Sequence, residues 1–361
     1  MYANKELILD AAKAAPGTVT WKSPSNIALI KYWGKYGNQL PQNPSLSFTL
    51  NNAYSETKIS HSPKTSNFDK ISFDFYFDGG RMDSFKPKIE KFLIAVEDIF
   101  PFIKQLNLKI ESTNSFPHSA GIASSASSMS AMALCLCSIE EELFGQSLSK
   151  EKFLQKASYV ARLGSGSACR SLYPYAAVWG KSLQVQHSNN EFAIPYGAEM
   201  HAVFKDFHND ILIVNKEEKG VSSSQGHALM ENNVYAESRY KQANLRLGRL
   251  LEALKAGDIE TFGNIVECEA LTLHALMMAS FKPFILMKPN TLVIIDLIKE
   301  FRKESKIPLY FSLDAGPNPH LMYPASANIE VKGFINDILA DFCKDRFWIA
   351  DRIGLGPEKI N

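Results

Sequence analysis

The sequence predicts an α+β fold in two domains, and three observations support this prediction. Strongly alternating apolar and polar residues at 46–60 and 71–80 are typical of strands, and no repeating series of strand and helix follows them. Long helical patterns of apolar residues dominate the second half of the chain instead. A polar segment with Pro and Gly at 189–199 separates the halves and predicts domains of residues 1–195 and 196–361.

The first half opens with a predicted short helix that ends at a Pro-Gly turn. Its apolar residues are Leu7, Ile8, Ala11 and Ala12. A strand at 18–30 is expected to break into a loop at Pro24. A polar turn at 61–67 joins the two alternating segments, which predicts a hairpin. The other predicted elements are a helix at 86–98, a strand at 106–113, a helix at 152–162 and a hairpin of 176–179 with 182–186.

The second half begins with a predicted buried strand at 210–214. Amphipathic helices are predicted at 235–256, 259–278 and 291–305 from the spacing of their apolar residues. Residues 308–324 then read as a strand, a turn and another strand.

The composition is that of an ordinary globular protein, with 45% hydrophobic and 21% charged residues. Its 39 basic and 38 acidic residues leave a net charge of +1, so no overall field attracts nucleic acid or an anionic membrane. Apolar runs are interrupted well before the ~20 residues of a membrane span, and the start of the chain has no signal-peptide pattern. We therefore expect a local anion site for a small molecule, with no nucleic-acid or membrane partner.

The cysteines and histidines do not form a recognisable metal or disulfide motif. The five cysteines include no CxxC pair, and no HExxH motif is present. Cys135 and Cys137 are two positions apart on a predicted helix, so their side chains diverge. An odd number of cysteines without a disulfide framework fits a reducing compartment, and we expect a cytoplasmic protein.

A stretch of very small residues at 116–136 is the most informative segment. Eleven of the thirteen residues from Ser119 to Ala131 are Ser, Ala or Gly, and a loop is predicted to lead into a helix near residue 123 with Ser124 and Ser125 as caps. The free N–H groups of such a helix start bind phosphate. Close helix packing through small residues is the alternative, but it does not require so many hydroxyl groups. The pattern is neither a P-loop nor a dinucleotide fingerprint.

Three other segments place polar residues where packing would not. Lys31 and Lys35 flank an aromatic pair, although lysines that snorkel to the surface have the same pattern. Arg170 ends a turn of Gly and Ser, where it could bind a carboxylate or phosphate in two-pronged fashion or form a structural ion pair. Asp314 follows an apolar strand, where it could act as a base or only form a turn.

Four motifs, taken together, resemble the diphosphomevalonate decarboxylase family of the GHMP kinase superfamily. They are NIALIKYWGK at 26–35, FPHSAGIASSAS at 116–127, GSGSACRSLY at 164–173 and LDAGPNP at 313–319, with VSSSQG at 221–226 as weaker support. The resemblance implies a GHMP-kinase-like fold: an N-terminal half like ribosomal protein S5 domain 2, a ferredoxin-like α+β C-terminal half, and an active-site cleft between them. It also implies a homodimer.

The resemblance implies ATP-dependent decarboxylation of (R)-5-diphosphomevalonate to isopentenyl diphosphate, with release of ADP, phosphate and CO₂. ATP and Mg²⁺ are the implied cofactors. The C3 hydroxyl is a poor leaving group and is phosphorylated first. Loss of that phosphate leaves cationic character at C3, which draws electrons from the breaking C–CO₂ bond.

The same resemblance assigns residues to this chemistry. The implied catalytic residues are Asp314, Arg170 and Lys31, with Arg170 holding the substrate carboxylate and fixing Asp314. The implied substrate-binding residues are Tyr32, Lys35, Ser165, Ser167, Arg170 and Lys88. The implied nucleotide-binding residues are Ser119, Gly121, Ala123, Ser124, Ser125, Asn114 and Ser223. Metal ligands stay unassigned, with Ser125 as the candidate.

Some positions depart from the family pattern, and two other functions stay open. The departures are His118, Ser127, Ser128, Pro174, Tyr175 and Lys88. One alternative is a sister enzyme that acts on mevalonate 5-phosphate or mevalonate, as a decarboxylase or a 3-kinase. The other is a catalytically silent nucleotide-binding protein. Retention of the implied aspartate, lysine and arginine argues against both.

Overall fold

The computed structural model describes residues 1–10, 15–117, 122–216 and 223–361, with the side chains at 223 and 224 excluded. The strands of this part of the chain are β1 (Gly17–Ile30), β2 (Lys35–Tyr36), β3 (Leu40–Pro41), β4 (Ser45–Pro63), β5 (Ser72–Phe77), β6 (Gly80–Arg81), β7 (Leu106–Asn114), β8 (Ala176–Trp179), β9 (Ile194–Pro195), β10 (Phe207–Leu212), β11 (Tyr310–Ser312), β12 (His320–Pro324), β13 (Trp348–Ile349) and β14 (Glu358–Lys359). The helices are α1 (Lys86–Ala95), α2 (Ser124–Phe144), α3 (Lys150–Gly164), α4 (Ala202–Lys205), α5 (Ser223–Ala228), α6 (Ala236–Ala256), α7 (Ile259–Met278), α8 (Pro289–Ser305) and α9 (Asn328–Asp337).

The first half forms a mixed sheet with helices packed on it. The main strand order is β14-β1-β4-β7-β5-β6, and β8 and β9 extend from β4. The two longest strands, β1 and β4, pair antiparallel and bury Val19 opposite Ile59. Pro24 does not end β1, because the strand continues through a register shift between Pro24 and Asn26. The predicted break into a loop is therefore wrong.

Helix α2 lies against β1 and β4 and is buried over most of its length, as its small residues permit. Its serines take part in this packing. Ser130 Oγ lies 2.5 Å from Ser23 Oγ of β1, and Ser127 Oγ lies 2.7 Å from Ser55 Oγ of β4. Close packing and a surplus of hydroxyl groups are thus compatible in this helix, and the hydroxyl content alone does not decide between the two interpretations.

The second half contains a four-stranded sheet, order β11-β12-β10-β13, covered by α7, α8 and α9. The predicted long helices are confirmed as α6, α7 and α8. A shared apolar cluster joins the halves, with Phe48 of β4 stacked on Phe262 of α7 at 5.6 Å between ring centroids. The α+β prediction is confirmed. In addition, β14 returns from the end of the chain to pair with β1, which sequence patterns did not predict.

Three predicted elements are wrong. No helix occurs within residues 1–10, where Leu7 and Leu9 are buried and Ile8 is exposed, an alternation that a helix would not give; Ala11 and Ala12 lie outside the described residues. Strand β5 pairs parallel with β7 and not in a hairpin with β4, because the connection through α1 is a crossover. Residues 182–186 form no strand, and β8 pairs with β4 and β9 instead.

The segment around Arg170 also differs from its prediction as a flexible turn. Residues Gly166–Leu172 form a 3-10 helix, and most of its residues are buried. No helix of the described residues has the length and apolar character that crossing a membrane requires.

Candidate active site

A cavity of about 560 Å³ collects the residues predicted from separate parts of the sequence. The predicted residues on its wall are Lys31, Tyr32, Lys35, Lys88, Ala123, Ser125, Ser165, Ser167, Arg170 and Asp314. With Lys91, its described lining carries five cationic side chains and a single carboxylate, that of Asp314. A protein with a net charge of only +1 therefore concentrates positive charge at one place, as an anion site requires.

The ion pair of Lys31 and Asp314 lies at the centre of the site. Lys31 directly follows β1, and its ammonium group donates to Asp314 Oδ1 at 3.0 Å and to Ser312 Oγ at 3.0 Å. Lys31 is 2% exposed, whereas Asp314 is 23% exposed and faces the cavity. Burial lowers the pKa of Lys31, while the negative charges of Asp314 and Glu269 oppose this effect. The two groups can exchange hydrogen bonds with a bound hydroxyl group.

The backbone of Lys31 is held by two charged residues of the second half that sequence reasoning missed. Glu269 of α7 accepts the N–H of Lys31 at 2.9 Å, and Arg239 of α6 donates to its carbonyl at 3.2 Å. Arg239 also binds both oxygens of Glu269, at 2.7 and 2.6 Å, and Arg246 adds a bond at 2.8 Å. Charged residues at buried positions of an amphipathic helix are the signal that could have identified this pair.

Arg170 lies on the same wall with its guanidinium almost fully enclosed. It donates to the Ser45 hydroxyl, packs 5.9 Å from the centre of the Trp179 ring, and keeps Nε without a partner. Burial lowers the pKa of Arg170, and the charge of Asp314 acts in the opposite direction. Nearby, a Cβ on Gly166 would lie 2.8 Å from the Tyr32 hydroxyl, so this turn requires glycine. The Asp314 carboxylate pairs with Lys31 at 3.0 Å, and the predicted role of Arg170 in fixing the same carboxylate stays a prediction.

The predicted substrate-binding residues surround this centre. Lys35 donates to Gln39 Oε1 at 3.0 Å, and burial and the charge of Lys91 lower the pKa of Lys35. Ser165 Oγ lies 3.4 Å from Ser125 Oγ, which links the arginine turn to the start of α2. Lys88 is exposed at the cavity rim, on α1.

The start of α2 is open at the cavity. Its N-cap is Ala123 in the left-handed conformation, φ 49° and ψ 41°, and no side chain of the described residues caps it, contrary to the predicted serine caps. Left-handed alanine is strained, and such strain is common where backbone N–H groups are aimed at a ligand. Ala126 N–H already donates to the Ala123 carbonyl at 2.7 Å, so the N–H groups of Ser124 and Ser125 are the ones of this helix start that an anion could bind.

The other predicted nucleotide-binding residues either do not line the cavity or lie outside the described part of the chain. Ser124 begins α2 but does not line the cavity. Asn114 also lies away from the cavity wall, and its Oδ1 accepts a hydrogen bond from the Ser55 hydroxyl at 2.6 Å. Ser119 and Gly121 lie outside the described residues, as does the side chain of Ser223. The roles of all five stay predictions.

Lys91, Asn26 and His227 are among the wall residues that sequence reasoning missed. Lys91 is one helical turn from Lys88 on α1, a spacing that could have identified it. Asn26 lies within the first motif and binds the Ser167 carbonyl at 3.1 Å. No sequence feature marked His227 as a site residue, apart from its position directly after the serine-rich turn.

The fold and this cavity define a class of protein: a two-domain α+β enzyme whose cationic cleft holds phosphorylated substrates. Two family models match the chain, the diphosphomevalonate decarboxylase-like N-terminal domain at residues 23–190 and the mevalonate 5-diphosphate decarboxylase C-terminal domain at residues 210–350. A diphosphomevalonate decarboxylase of Ganoderma lucidum is 30% identical over 361 residues, which cover 95% of this chain and 88% of that protein. The chain therefore belongs to the diphosphomevalonate decarboxylase family.

Solved structures agree with this relationship. The mevalonate diphosphate decarboxylase of Staphylococcus aureus superposes with a TM-score of 0.81 at 28% identity and covers 96% of this chain and 98% of its own. That of Enterococcus faecalis superposes with a TM-score of 0.80 at 28% identity and covers 96% and 100%. The predicted GHMP-kinase-like fold is confirmed by these superpositions.

Proposed function

We propose that the cationic cavity is where this protein performs the reaction of its family. The protein is an ATP-dependent decarboxylase that converts (R)-5-diphosphomevalonate to isopentenyl diphosphate, ADP, phosphate and CO₂. The observation that carries this function is the Lys31–Asp314 ion pair, 3.0 Å long, on the wall of a cavity that holds no other described carboxylate. A similar protein, called MDDEF, was solved in complex with MVAPP, AMPPCP and magnesium at 29% identity and a TM-score of 0.80.

The three central residues have distinct proposed roles. Asp314 accepts or orients the proton of the C3 hydroxyl group, and its negative charge then opposes the positive charge that develops at C3. Lys31 orients Asp314 through their ion pair, and it lies close to the C3 oxygen as the phosphoryl group arrives. Arg170 binds the substrate carboxylate, a role that the position of its guanidinium group on the cavity wall supports.

The remaining wall is proposed to hold the phosphate groups. The substrate diphosphate is bound by Tyr32, Lys35, Ser165, Ser167 and Lys88, which supply positive charge and hydroxyl donors on the cavity wall. The proposed nucleotide-binding residues are Ser119, Gly121, Ala123, Ser124, Ser125, Asn114 and Ser223. The open N-terminus of α2 supports this assignment for Ala123 and Ser125, since free backbone N–H groups bind phosphate oxygens.

The residues present fit Mg²⁺ when it is bound chiefly by phosphate. Among the described residues, no group of three or more His, Cys, Asp or Glu side chains could hold a metal ion. Mg²⁺ commonly keeps several waters and binds one or two carboxylates together with substrate phosphates. The Ser125 hydroxyl, on this wall at the start of α2, is the proposed protein ligand. The ion would neutralise charge on the transferred phosphoryl group.

One assay tests this function against its alternatives. The protein is incubated with Mg-ATP and, in turn, diphosphomevalonate, mevalonate 5-phosphate and mevalonate, and ADP and CO₂ are measured. Both products from diphosphomevalonate are expected. ADP without CO₂ would indicate a 3-kinase, both products from mevalonate 5-phosphate alone would indicate the sister decarboxylase, and neither product would indicate a binding protein.

Three further assignments belong to this proposal. We place the domain boundary between residues 195 and 196, supported by β9, which ends the continuous run of the first sheet. A homodimer is supported by family membership and is tested by light scattering of the eluted protein. A reducing, cytoplasmic compartment is supported by the five free cysteines, of which Cys268 alone is exposed.

A further inference from the structure

His227 is a buried side chain on the cavity wall that the proposed function does not use. It lies on the short helix α5 and is 8% exposed. Its ring packs against Tyr32 and Trp33, with ring centroids 4.2 and 4.9 Å away. The imidazole is therefore held in one orientation beside two residues of the KYWGK motif.

The hydrogen bond of the ring fixes where its proton lies. Nδ1 of His227 accepts the backbone N–H of Gly34 at 3.0 Å. A neutral imidazole that accepts at one nitrogen carries its proton on the other, so Nε2–H is a donor. Within the described part of the chain the ring makes no second hydrogen bond, and Nε2 is not among the fully enclosed polar atoms without a partner. The Nε2–H group is thus available to a molecule in the cavity.

The surroundings keep this ring neutral. Burial lowers the pKa of His227 to about 3, and the positive charges of Lys35 and Arg170 act in the same direction. A neutral donor supplies a hydrogen bond without adding to the repulsion among the five cations of the wall. A bound diphosphate offers more acceptor oxygens than one lysine can satisfy, and hydrogen bonds to charged oxygens are stronger than those between neutral groups.

We infer that His227 Nε2–H donates a hydrogen bond to a phosphate oxygen of the substrate diphosphate, next to Tyr32 and Lys35. The inference rests on the proposed function, because that function puts a diphosphate in this part of the cavity. Gly34 N–H holds the ring, the Tyr32 and Trp33 rings fix its plane, and Lys35 supplies the neighbouring charge. His227 is then a substrate-binding residue.

Two amide substitutions separate this role from a structural one. The amide of asparagine reaches the position of Nδ1, so His227→Asn keeps a partner for Gly34 and loses the donor. The amide of glutamine reaches the position of Nε2, so His227→Gln keeps the donor and loses the Gly34 contact. Binding of diphosphomevalonate and of Mg-ATP to the full chain is measured by calorimetry, alongside KM and kcat.

The two variants are expected to differ in how tightly they bind diphosphomevalonate. His227→Asn weakens diphosphomevalonate binding roughly ten- to hundredfold, the range for a hydrogen bond to a charged group, whereas His227→Gln stays within about threefold of the wild type. KM rises with the dissociation constant, while kcat and Mg-ATP affinity change little, because the bond is present before and during reaction. Normal binding by the asparagine variant, or equal loss in both variants, would overturn the inference.

Controls keep folding and the proposed function separate from this test. His227→Phe keeps a ring against Tyr32 and Trp33 but has neither nitrogen, so it replaces the asparagine variant if that variant does not fold. It should bind diphosphomevalonate roughly ten- to hundredfold more weakly than the wild type. If the His227→Phe variant binds diphosphomevalonate as tightly as the wild type does, the inference would also be overturned. If the wild type binds diphosphomevalonate without releasing CO₂, the proposed reaction fails while the comparison of asparagine and glutamine still decides the role of His227. If the wild type does not bind it, both fail.

Discussion

Glu269 accepts the backbone N–H of Lys31 at 2.9 Å, although 238 positions separate the two residues in the chain. Arg239 completes a clamp, because it binds both oxygens of Glu269 and donates to the Lys31 carbonyl at 3.2 Å. All three residues are almost fully buried. The second half of the protein therefore fixes the backbone of a residue whose side chain reaches Asp314, so the stability of this contact and the geometry of the site are coupled.

We predict that Glu269→Gln lowers both stability and turnover. Removal of one partner of a buried ion pair typically costs roughly 3–5 kcal/mol, since the remaining charge is left uncompensated. Denaturant unfolding gives the loss of stability, and kcat at saturating substrate gives the effect on Lys31. Glu267→Gln is the matched control: Glu267 lies on the same helix and pairs with Arg302 at 2.7 Å away from the cavity, so it should lose stability only. Unchanged unfolding and turnover in Glu269→Gln would contradict the clamp.

Asp314→Asn should lower turnover by roughly 10³–10⁴-fold, because it removes a proton acceptor and a negative charge from the reacting centre without changing its shape. Nucleotide binding should persist, since the open start of α2 is not altered. Turnover is measured as CO₂ release and nucleotide affinity by displacement of a fluorescent analogue. Asp296→Asn, at an exposed position of α8, is the control and should behave as the wild type. Near-normal CO₂ release would remove Asp314 from its proposed role.

Much of the site could be predicted from sequence because its chemistry restricts residue types within short motifs. A phosphate-binding helix start needs small residues, and the helix begins at Ser124, next to the predicted position. Lys31, Arg170 and Asp314 each lie in a short motif of distinctive composition, and the cavity brings them together. Local residue identity therefore identified the charged centre of the cavity, although many of the other lining residues were not predicted.

The contacts between distant segments could not be predicted in this way. Alternation of apolar residues shows which face of β5 is buried, but pairing with β7 depends on the crossover through α1. Glu269 and Arg239 have no local motif, because their function is to bind the backbone of a residue in the other half. The return of β14 to β1 likewise depends on where the rest of the chain ends in space.

Lys91 provides a test of the positive charge in the cavity. Lys91→Gln should raise the KM for diphosphomevalonate roughly three- to tenfold at low ionic strength, because the substrate loses one of five attracting cations. The difference should shrink at high salt, since the Debye length falls from about 10 Å at 0.1 M to about 3 Å at 1 M. KM is measured over a salt series. Lys104→Gln is the control, because Lys104 pairs with Glu97 and does not line the cavity. A KM ratio that is independent of salt would contradict the prediction.

The raised pKa of Asp210 should make the stability of the second half depend on pH. Its carboxylate accepts the Tyr323 hydroxyl and the backbone N–H of Asp351, the latter at 3.0 Å. Burial raises the pKa of Asp210 from 3.8 to about 6, so the folded protein binds the proton more tightly than the unfolded chain does. This stabilisation is fully present below about pH 3.8 and is lost as the pH rises through about 6.

Asp210→Asn removes this dependence, because an amide does not titrate. Between about pH 4 and pH 7.5 the free energy of unfolding of the variant should rise relative to that of the wild type by roughly 2–3 kcal/mol, the equivalent of the raised pKa. Urea unfolding at several pH values measures this change, and the comparison concerns the slope, so a constant offset from the altered hydrogen bonds with Tyr323 does not affect it. The exposed-site variant Asp296→Asn should run parallel to the wild type throughout. Parallel curves for Asp210→Asn as well would mean that Asp210 is ionised equally in the folded and unfolded states.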